Sequence, residues 1–217
     1  MYRIPRIDCN VACPASLEEA FARTVRETVA CNNWPADFPY APQVGFRIFH
    51  TGADLLLRFD VAERCTAART LDDNGPVWTD SCAEFFFRPE GSDSYYNFEC
   101  NCIGTLLVGH RRDRTQAEHA PAEVLRTVRR RATYPHAPLP ETEGDNRWTL
   151  TLAIPAAALF RDRIAGWDGV RGAMNLYKCG DDLSCPHYLS WRPVGTPAPD
   201  FHRPEFFEPV FFEPKKQ

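Results

Sequence analysis

The chain has 217 residues, 44% hydrophobic and 25% charged, with a net charge of −4 at pH 7, a length that fits one domain or at most two small ones. This average composition excludes general disorder and leaves enough chain for a sizeable core. The acidic balance excludes an electrostatically driven duplex nucleic-acid binder. Nineteen prolines against 12 glycines, with aromatics at 12%, favour short strands joined by stiff loops. Nine cysteines are an odd number in a chain too long for a disulfide scaffold. The stretch Met1-Tyr2-Arg3-Ile4-Pro5-Arg6-Ile7-Asp8 has no apolar core of a secretory signal. Nor does any apolar run approach the roughly 18 residues of a membrane helix. The expectation is a cytoplasmic protein with reduced thiols and neither a membrane nor a nucleic-acid partner. If the sequence is a trimmed mature form, it is extracellular or periplasmic instead.

In chain order, the first predicted element is a helix over about 16–29. Ser16-Leu17-Glu18-Glu19 reads as a capping box, followed by an apolar stripe of Ala20, Phe21, Val25 and Val29. Pro35 ends that region. The rest reads as strands: Val44–Thr51 and Leu55–Val61 around a turn, then a meander of Cys82–Arg88, Tyr95–Asn101 and Thr105–Arg111. Val124–Thr133, Trp148–Ile154, Gly172–Cys179, Tyr188–Trp191 and Phe207–Phe212 follow, with loops at Leu71–Thr79, Tyr134–Asn146 and Arg192–Pro204. Strands so spaced predict a single all-β domain, an antiparallel β-sandwich of jelly-roll type with one short N-terminal helix.

The hairpin from Cys82 to Asn101 is the most informative segment. With its turn at Glu90-Gly91-Ser92-Asp93, Phe85 faces Phe98, Phe87 faces Tyr96 and Ala83 faces Cys100, one continuous apolar face that should be core. On the other face Glu84 opposes Glu99, Phe86 opposes Asn97, Cys82 opposes Asn101 and Arg88 opposes Tyr95. Facing carboxylates repel unless a cation, a metal, a shared proton or ligand hydroxyls offset them. Carboxylates and amides beside aromatic rings are what a sugar needs, the polar groups for its hydroxyls and the rings for its C–H face. The plain alternative is a solvated sheet face whose glutamates pair with arginines elsewhere.

Pro76-Val77-Trp78-Thr79-Asp80-Ser81-Cys82-Ala83-Glu84-Phe85-Phe86 resembles the signature of family 9 carbohydrate-binding modules, with two residues rather than one between Ser81 and Glu84. Four further segments fit the stand-alone, xylanase-associated proteins similar to that family: Tyr95–Asn101, Asn175–Asp181, Ser190-Trp191 and Phe201–Phe207. The resemblance covers roughly residues 44 to 212. It implies a β-sandwich that binds an oligosaccharide or small sugar without cleaving it, two aromatic side chains clamping the ring. The clamp positions fall on Trp78 and Phe201, the acidic contact on Glu84 and an amide contact on Asn101. Glu99 stands where the xylanase-linked modules carry an arginine, and Phe201 where they carry a tryptophan. Calcium is the metal the resemblance implies, though no ligand positions match.

The candidate ligand-binding residues are therefore Trp78, Glu84, Glu99, Asn101, Phe201 and Arg203, the arginine being placed to neutralise the glutamate pair. A loop Trp78 packed on its own domain is the plain alternative. Trp148 and Trp191 lie inside strand patterns and should be core, whereas Trp34 and Trp167 have no assignment. Cys100 and Cys102 with Cys179, Cys185 and His187 invite a zinc reading, but their spacing matches no zinc knuckle and buried free thiols are the simpler account. Arg126, Arg129, Arg130 and Arg131 read as a solvated face. Two alternatives to binding remain: a glycoside hydrolase acting on xylan-type glycans, whose retaining mechanism needs carboxyls about 5 Å apart, and a protein-interaction module that kept the fold. Sugar identity, metal and oligomeric state are not set by the sequence.

Overall fold

The computed structural model describes residues 1–216, which form the expected β-sandwich of two sheets. The first sheet runs β1 (Tyr2–Ile4), β14 (Glu208–Phe212), β12 (Arg171–Cys179), β6 (Cys82–Pro89), β7 (Tyr95–Asn101), β8 (Leu106–Arg111) and β9 (Ala117–His119). Beyond β14, the C-terminal half of β12 pairs with β13 (Tyr188–Ser190), which pairs with β3 (Cys31–Asn32). The second sheet runs β10 (Arg129–Ala132), β11 (Leu139–Pro155), β5 (Asp54–Ala68), β4 (Gln43–His50) and β2 (Glu27–Thr28). All pairings are antiparallel except β1 with β14. Two short helices, α1 (Pro14–Ala22) and α2 (Ala122–Leu125), complete the chain, and none among the described residues is long and apolar enough to cross a membrane.

The β6–β7 register is the one expected from a turn at Glu90–Asp93, with Phe85 opposite Phe98, Phe87 opposite Tyr96 and Glu84 opposite Glu99. Ala83, Phe85, Phe87, Phe98 and Cys100 pack against Phe46, Leu57, Phe59 and Leu150 of the second sheet. Trp148 and Trp191 are buried as expected, and so are the unassigned Trp34 and Trp167. The other face of the first sheet is not solvated. Cys82, Phe86, Tyr95, Tyr177 and Cys179 form a second apolar layer with Trp34, Val194, Phe201 and Phe207, contributed by the chain before β4 and after β13. Trp34 Nε1 donates to the Thr196 carbonyl at 2.7 Å, tying these two distant loops together. The sheet thus has both faces covered, and polar side chains on its outer face must find partners there.

Three expectations need correction. The helix begins at Pro14, two residues before the supposed capping serine, because proline is pre-organised for the first helical position. Ser16 Oγ instead accepts the Asn10 amide from outside the helix. The helix stops at Ala22: Val25 is 71% exposed and Val29 donates its amide to Val44, so pairing with β4 overrides the helical spacing. Val124–Thr133 is not one strand but α2, a turn and β10, since Pro121 starts a helical turn. Much of the supposed loop Tyr134–Asn146 is the irregular start of β11, with register shifts on either side of Thr142 and Glu143. The arginines of β10 lie at the sheet edge, where Arg129 pairs with Asp54 and Arg130 with Asp73.

Candidate functional site

Trp78 sits in a single helical turn, Val77–Thr79, just before β6. Val77 is its buried anchor, and the Trp78 carbonyl accepts the Asp181 amide at 3.2 Å. Asp80 locks the far side of the turn: its carboxylate accepts the Arg69 amide at 2.8 Å, the Thr70 amide at 3.0 Å and Asn101 Nδ2 at 3.0 Å. Ser81 bonds to Ala67 by backbone and side chain. The Asp-Ser pair of the motif is therefore scaffold. It holds Trp78 with 38% of its surface exposed, the one tryptophan that is not buried.

That ring borders a cavity of about 280 Å³ on the outer face of the first sheet. Glu84, Glu99 and Cys179 form its buried lining, and Trp78, Tyr188, Phe201 and His202 its aromatic part. Arg111, Arg114, Asp181, Pro199 and Asp200 complete it. Four of the six expected residues thus come together. Phe201 is only 9% exposed, because one ring face stacks on Tyr177 with centroids 4.2 Å apart. It leaves less surface free at the cavity than Trp78 does.

The other two expected residues do not line the cavity. Asn101 is fully buried and spends its amide on structure: Nδ2 donates to the Thr70 carbonyl and Asp80, and Oδ1 accepts the Thr105 amide at 2.9 Å. With its amide turned to these partners beside the Trp78 turn, it is not among the residues that line the cavity. Arg203 pairs with Glu205 at 2.8 Å and Asp200 at 3.8 Å and does not line the cavity. The cations that line the cavity are instead Arg111 and Arg114, and the Lys178 charge also acts on Glu84. Arg111 Nε donates to Asn97 Oδ1 at 2.9 Å, and Asn97 Nδ2 donates to Glu99 Oε1 at 2.7 Å, so the guanidinium acts on Glu99 through an amide. Gly109, opposite Asn97 on β8, leaves the space for this relay: a Cβ there would lie 2.5 Å from Asn97 Oδ1. Arg111 was within reach of the same register arithmetic, being the partner of Tyr95 on β8. Asp181, in the loop after β12, and Tyr188, opposite Cys179 at the start of β13, lie in segments the sequence marked but were not picked out as site residues.

Burial dominates the electrostatics. It pushes the Glu84 carboxyl well above the usual carboxylate range, and the facing Glu99 charge adds to the effect. Burial also raises Glu99 to about 7, with the Asn97 hydrogen bond and Arg111 opposing. Asp181 rises to about 6 through burial and the nearby Asp182. Near neutral pH the pair therefore shares protons and can both donate to and accept from a ligand. His202 is held neutral, its pKa lowered to about 3 by burial and then by Arg111, and its Nδ1 bonds the Tyr95 hydroxyl at 2.9 Å.

A raised carboxyl pKa has a signed consequence for stability. In the folded state Glu99 holds its proton up to about 7, whereas in the unfolded chain it releases it near 4.3. Its stabilising contribution is therefore complete below that lower value and is lost as pH rises toward the folded one. Glu99→Gln, which keeps an acceptor for Asn97, is expected to be progressively more stable than wild type from pH 5 to pH 8, by on the order of 2–3 kcal/mol at the top. Thermal unfolding of both proteins in chelator across that range checks this, and a pH-independent difference would contradict it.

Among the described residues, one group of three or more His, Cys, Asp or Glu side chains has its ligand atoms mutually within 4.8 Å: Cys82, Glu84 and Cys179. Two of its three donors are sulfur. Calcium takes six to eight oxygens, so this group does not fit the metal the sequence resemblance implied. The cysteines of the zinc reading are dispersed. Cys100 and Cys102 lie in the main core, Cys185 lies against Cys65, and His187 bonds Lys178.

The family model described as carbohydrate-binding family 9 matches residues 13–212. A crystal structure of a Bacteroides uniformis protein with a provisional carbohydrate-binding assignment is 39% identical, covers 97% of this chain and 98% of its own, and superposes with a TM-score of 0.91. A family 9 module from Caldicellulosiruptor kristjanssonii in complex with glucose has a TM-score of 0.58 at 9% identity, covering 99% of this chain and 96% of its own. The same organism's module with cellotriose gives 0.59 at 7%, with coverage of 100% and 95%. At such identities the likeness to these two modules is one of fold. No curated protein matches.

Proposed function

Because this chain belongs to carbohydrate-binding family 9, we propose that it binds a small sugar or the end of an oligosaccharide in the Trp78–Glu84–Glu99 cavity. The single observation that carries this reading is the pair of buried, facing carboxyls opening into a cavity bordered by an exposed tryptophan. Burying two acids opposite each other is unfavourable unless something pairs with them, and vicinal hydroxyls both donate and accept as such a pair requires. Trp78 offers its ring surface to the C–H face of a pyranose, with Phe201 and Tyr188 as further apolar wall. The cavity volume of about 280 Å³ lies at the lower end of ligand pockets, which suits one or two sugar rings rather than a long stretch of polymer. Glucose and cellotriose, bound by two modules of like fold, are the natural first ligands to try.

Binding is favoured over hydrolysis by the placement of the carboxyls. Glu84 and Glu99 stand on adjacent strands and on one sheet face, so both approach a bound sugar from the same side. A retaining glycosidase needs its acid and nucleophile to flank the scissile bond.

A tryptophan-fluorescence titration with glucose, xylose and their β-1,4 oligomers tests the proposal. A saturable shift with at least one of these is expected, without release of reducing sugar from the oligomers. A flat response across the panel overturns sugar binding in this cavity, and reducing-sugar release abolished by Glu84→Gln would make the protein a hydrolase.

A further inference from the structure

Cys82 and Cys179 are directly opposed on β6 and β12, and Glu84 lies two residues along β6 on the same face. Their ligand atoms lie within 4.8 Å of one another, with Cys179 Sγ 3.1 Å from Glu84 Oε1. All three side chains are buried. We propose that Cys82, Glu84 and Cys179 form a binding site for a thiophilic divalent metal, zinc in the first instance, in the floor of the cavity.

The chemistry of the donors selects the metal. Two thiolates with one carboxylate suit a borderline-soft ion, and a tetrahedral zinc site takes Zn–S bonds of about 2.3 Å and Zn–O bonds of about 2.0–2.2 Å. Ligand atoms at such a centre stand roughly 3.3–3.8 Å apart. The observed cluster closes to that spacing with side-chain adjustment alone, because all three residues come from two paired strands. Glu84 and Cys179 also line the cavity, whereas Cys82 lies behind them. Three protein ligands then leave a fourth position on the cavity side, open to water, to Glu99 or to a hydroxyl of a bound molecule, as in zinc sites that exchange a ligand. A bound cation would further offset the repulsion between Glu84 and Glu99. Without a metal, the Cys179 thiol donates to Glu84, and the cluster is a hydrogen-bonded part of the apolar layer.

The assignment stands on ligand geometry and does not require sugar binding, so the two are tested apart. The reduced full-length protein, stripped by chelator, is titrated with Co²⁺ alone. One equivalent should produce a thiolate-to-cobalt charge-transfer band in the near ultraviolet and intense visible bands typical of a tetrahedral site. Zinc should abolish both by displacement. Cys82→Ser and Cys179→Ser should each lose the charge-transfer intensity, while Cys65→Ser, in the separate pair with Cys185, should leave the spectrum unchanged. X-ray absorption of the zinc-loaded wild type needs no variant. A first shell of two sulfurs near about 2.3 Å with oxygens near about 2.0 Å supports the site. An oxygen- and nitrogen-only shell, no stoichiometric uptake, or a spectrum lost in Cys65→Ser but kept in Cys179→Ser overturns it. A protein that takes up no metal yet binds glucose refutes only this site, and one that takes up metal but no sugar refutes only the cavity's proposed ligand.

Discussion

Trp78→Ala is expected to weaken sugar binding by roughly 30-fold, the 2 kcal/mol typical of an aromatic anchor at the centre of a contact surface, while leaving the fold almost unperturbed. The reason for the separation lies in how the residue is held. The Val77–Thr79 turn is fixed by the buried Val77, by Asp80 and by the Trp78 backbone carbonyl, none of which involves the indole. Truncating a side chain that is 38% exposed costs little packing, whereas a sugar loses the largest ring surface in the cavity. Glu84→Gln should weaken binding too, through lost hydroxyl partners, with a smaller cost if the carboxyl already binds in its protonated form. Calorimetric titration of wild type and both variants with the ligand found by fluorescence checks the order. Equal affinity in Trp78→Ala and wild type would remove the cavity from consideration. Phe201→Ala is a poor substitute for this test, because Phe201 is stacked on Tyr177 and its loss would disturb the layer beneath.

The second large effect is one of stability and lies beside the cavity. Lys178 on β12 and Glu63 on β5 are fully buried and join the two sheets through an ion pair of 2.8 Å. Glu63 Oε1 also accepts from Trp148 Nε1 at 2.6 Å and Thr66 Oγ1 at 2.9 Å. Lys178 Nζ reaches the Cys179 carbonyl at 2.8 Å and His187 Nε2 at 2.7 Å. Burial tends to raise the Glu63 carboxyl, but the Lys178 ammonium beside it outweighs this and holds it below the ordinary range. Lys178→Met leaves that carboxylate buried without its cation and is expected to cost about 3–5 kcal/mol. For a chain of this size that is roughly 10 °C in Tm. The double variant Lys178→Met/Glu63→Leu removes both charges and should recover part of the loss, since an apolar pair of similar volume avoids the desolvation of either ion. A single variant as stable as wild type would show that the network contributes nothing. Acid should find the same weak point. Burial and the Lys178 charge lower the His187 pKa to about 3, so its neutral form contributes stability that is complete above the ordinary histidine value and is lost as pH falls toward 3.

These two pH effects oppose each other between about pH 4.5 and 6.5, where protonated Glu99 stabilises and neutral His187 is already being penalised. Variants resolve them: Glu99→Gln removes the first and leaves the second.

Much of the architecture was legible without the fold. The pairing of β6 with β7 follows from alternation and the turn together: side chains change face at every residue, which puts Phe85, Phe87, Phe98 and Tyr96 on one face, and the Glu90–Asp93 turn picks the observed partners among registers that differ by two residues. The same arithmetic placed Glu84 opposite Glu99 and would have reached Arg111 one strand further on. The site's second wall was less legible. Phe201 was found by its motif, yet its burial depends on Tyr177 and Trp34, which no local pattern connects to it.

Asn101 and Arg203 show where local reasoning ends. Both lie close in sequence to cavity residues, and both are turned to other partners, Asn101 to Thr70, Asp80 and Thr105, Arg203 to Asp200 and Glu205. The sequence by itself determined the fold class, the strand register and which side chains share a face, since these follow from a two-residue period and short-range turn chemistry. Only the tertiary structure decided that the outer face is covered, that its acids are buried and that Trp78 stays open. Those depend on two loops far apart in the chain, joined by Trp34 and Thr196, closing over one sheet and leaving a gap at the tryptophan.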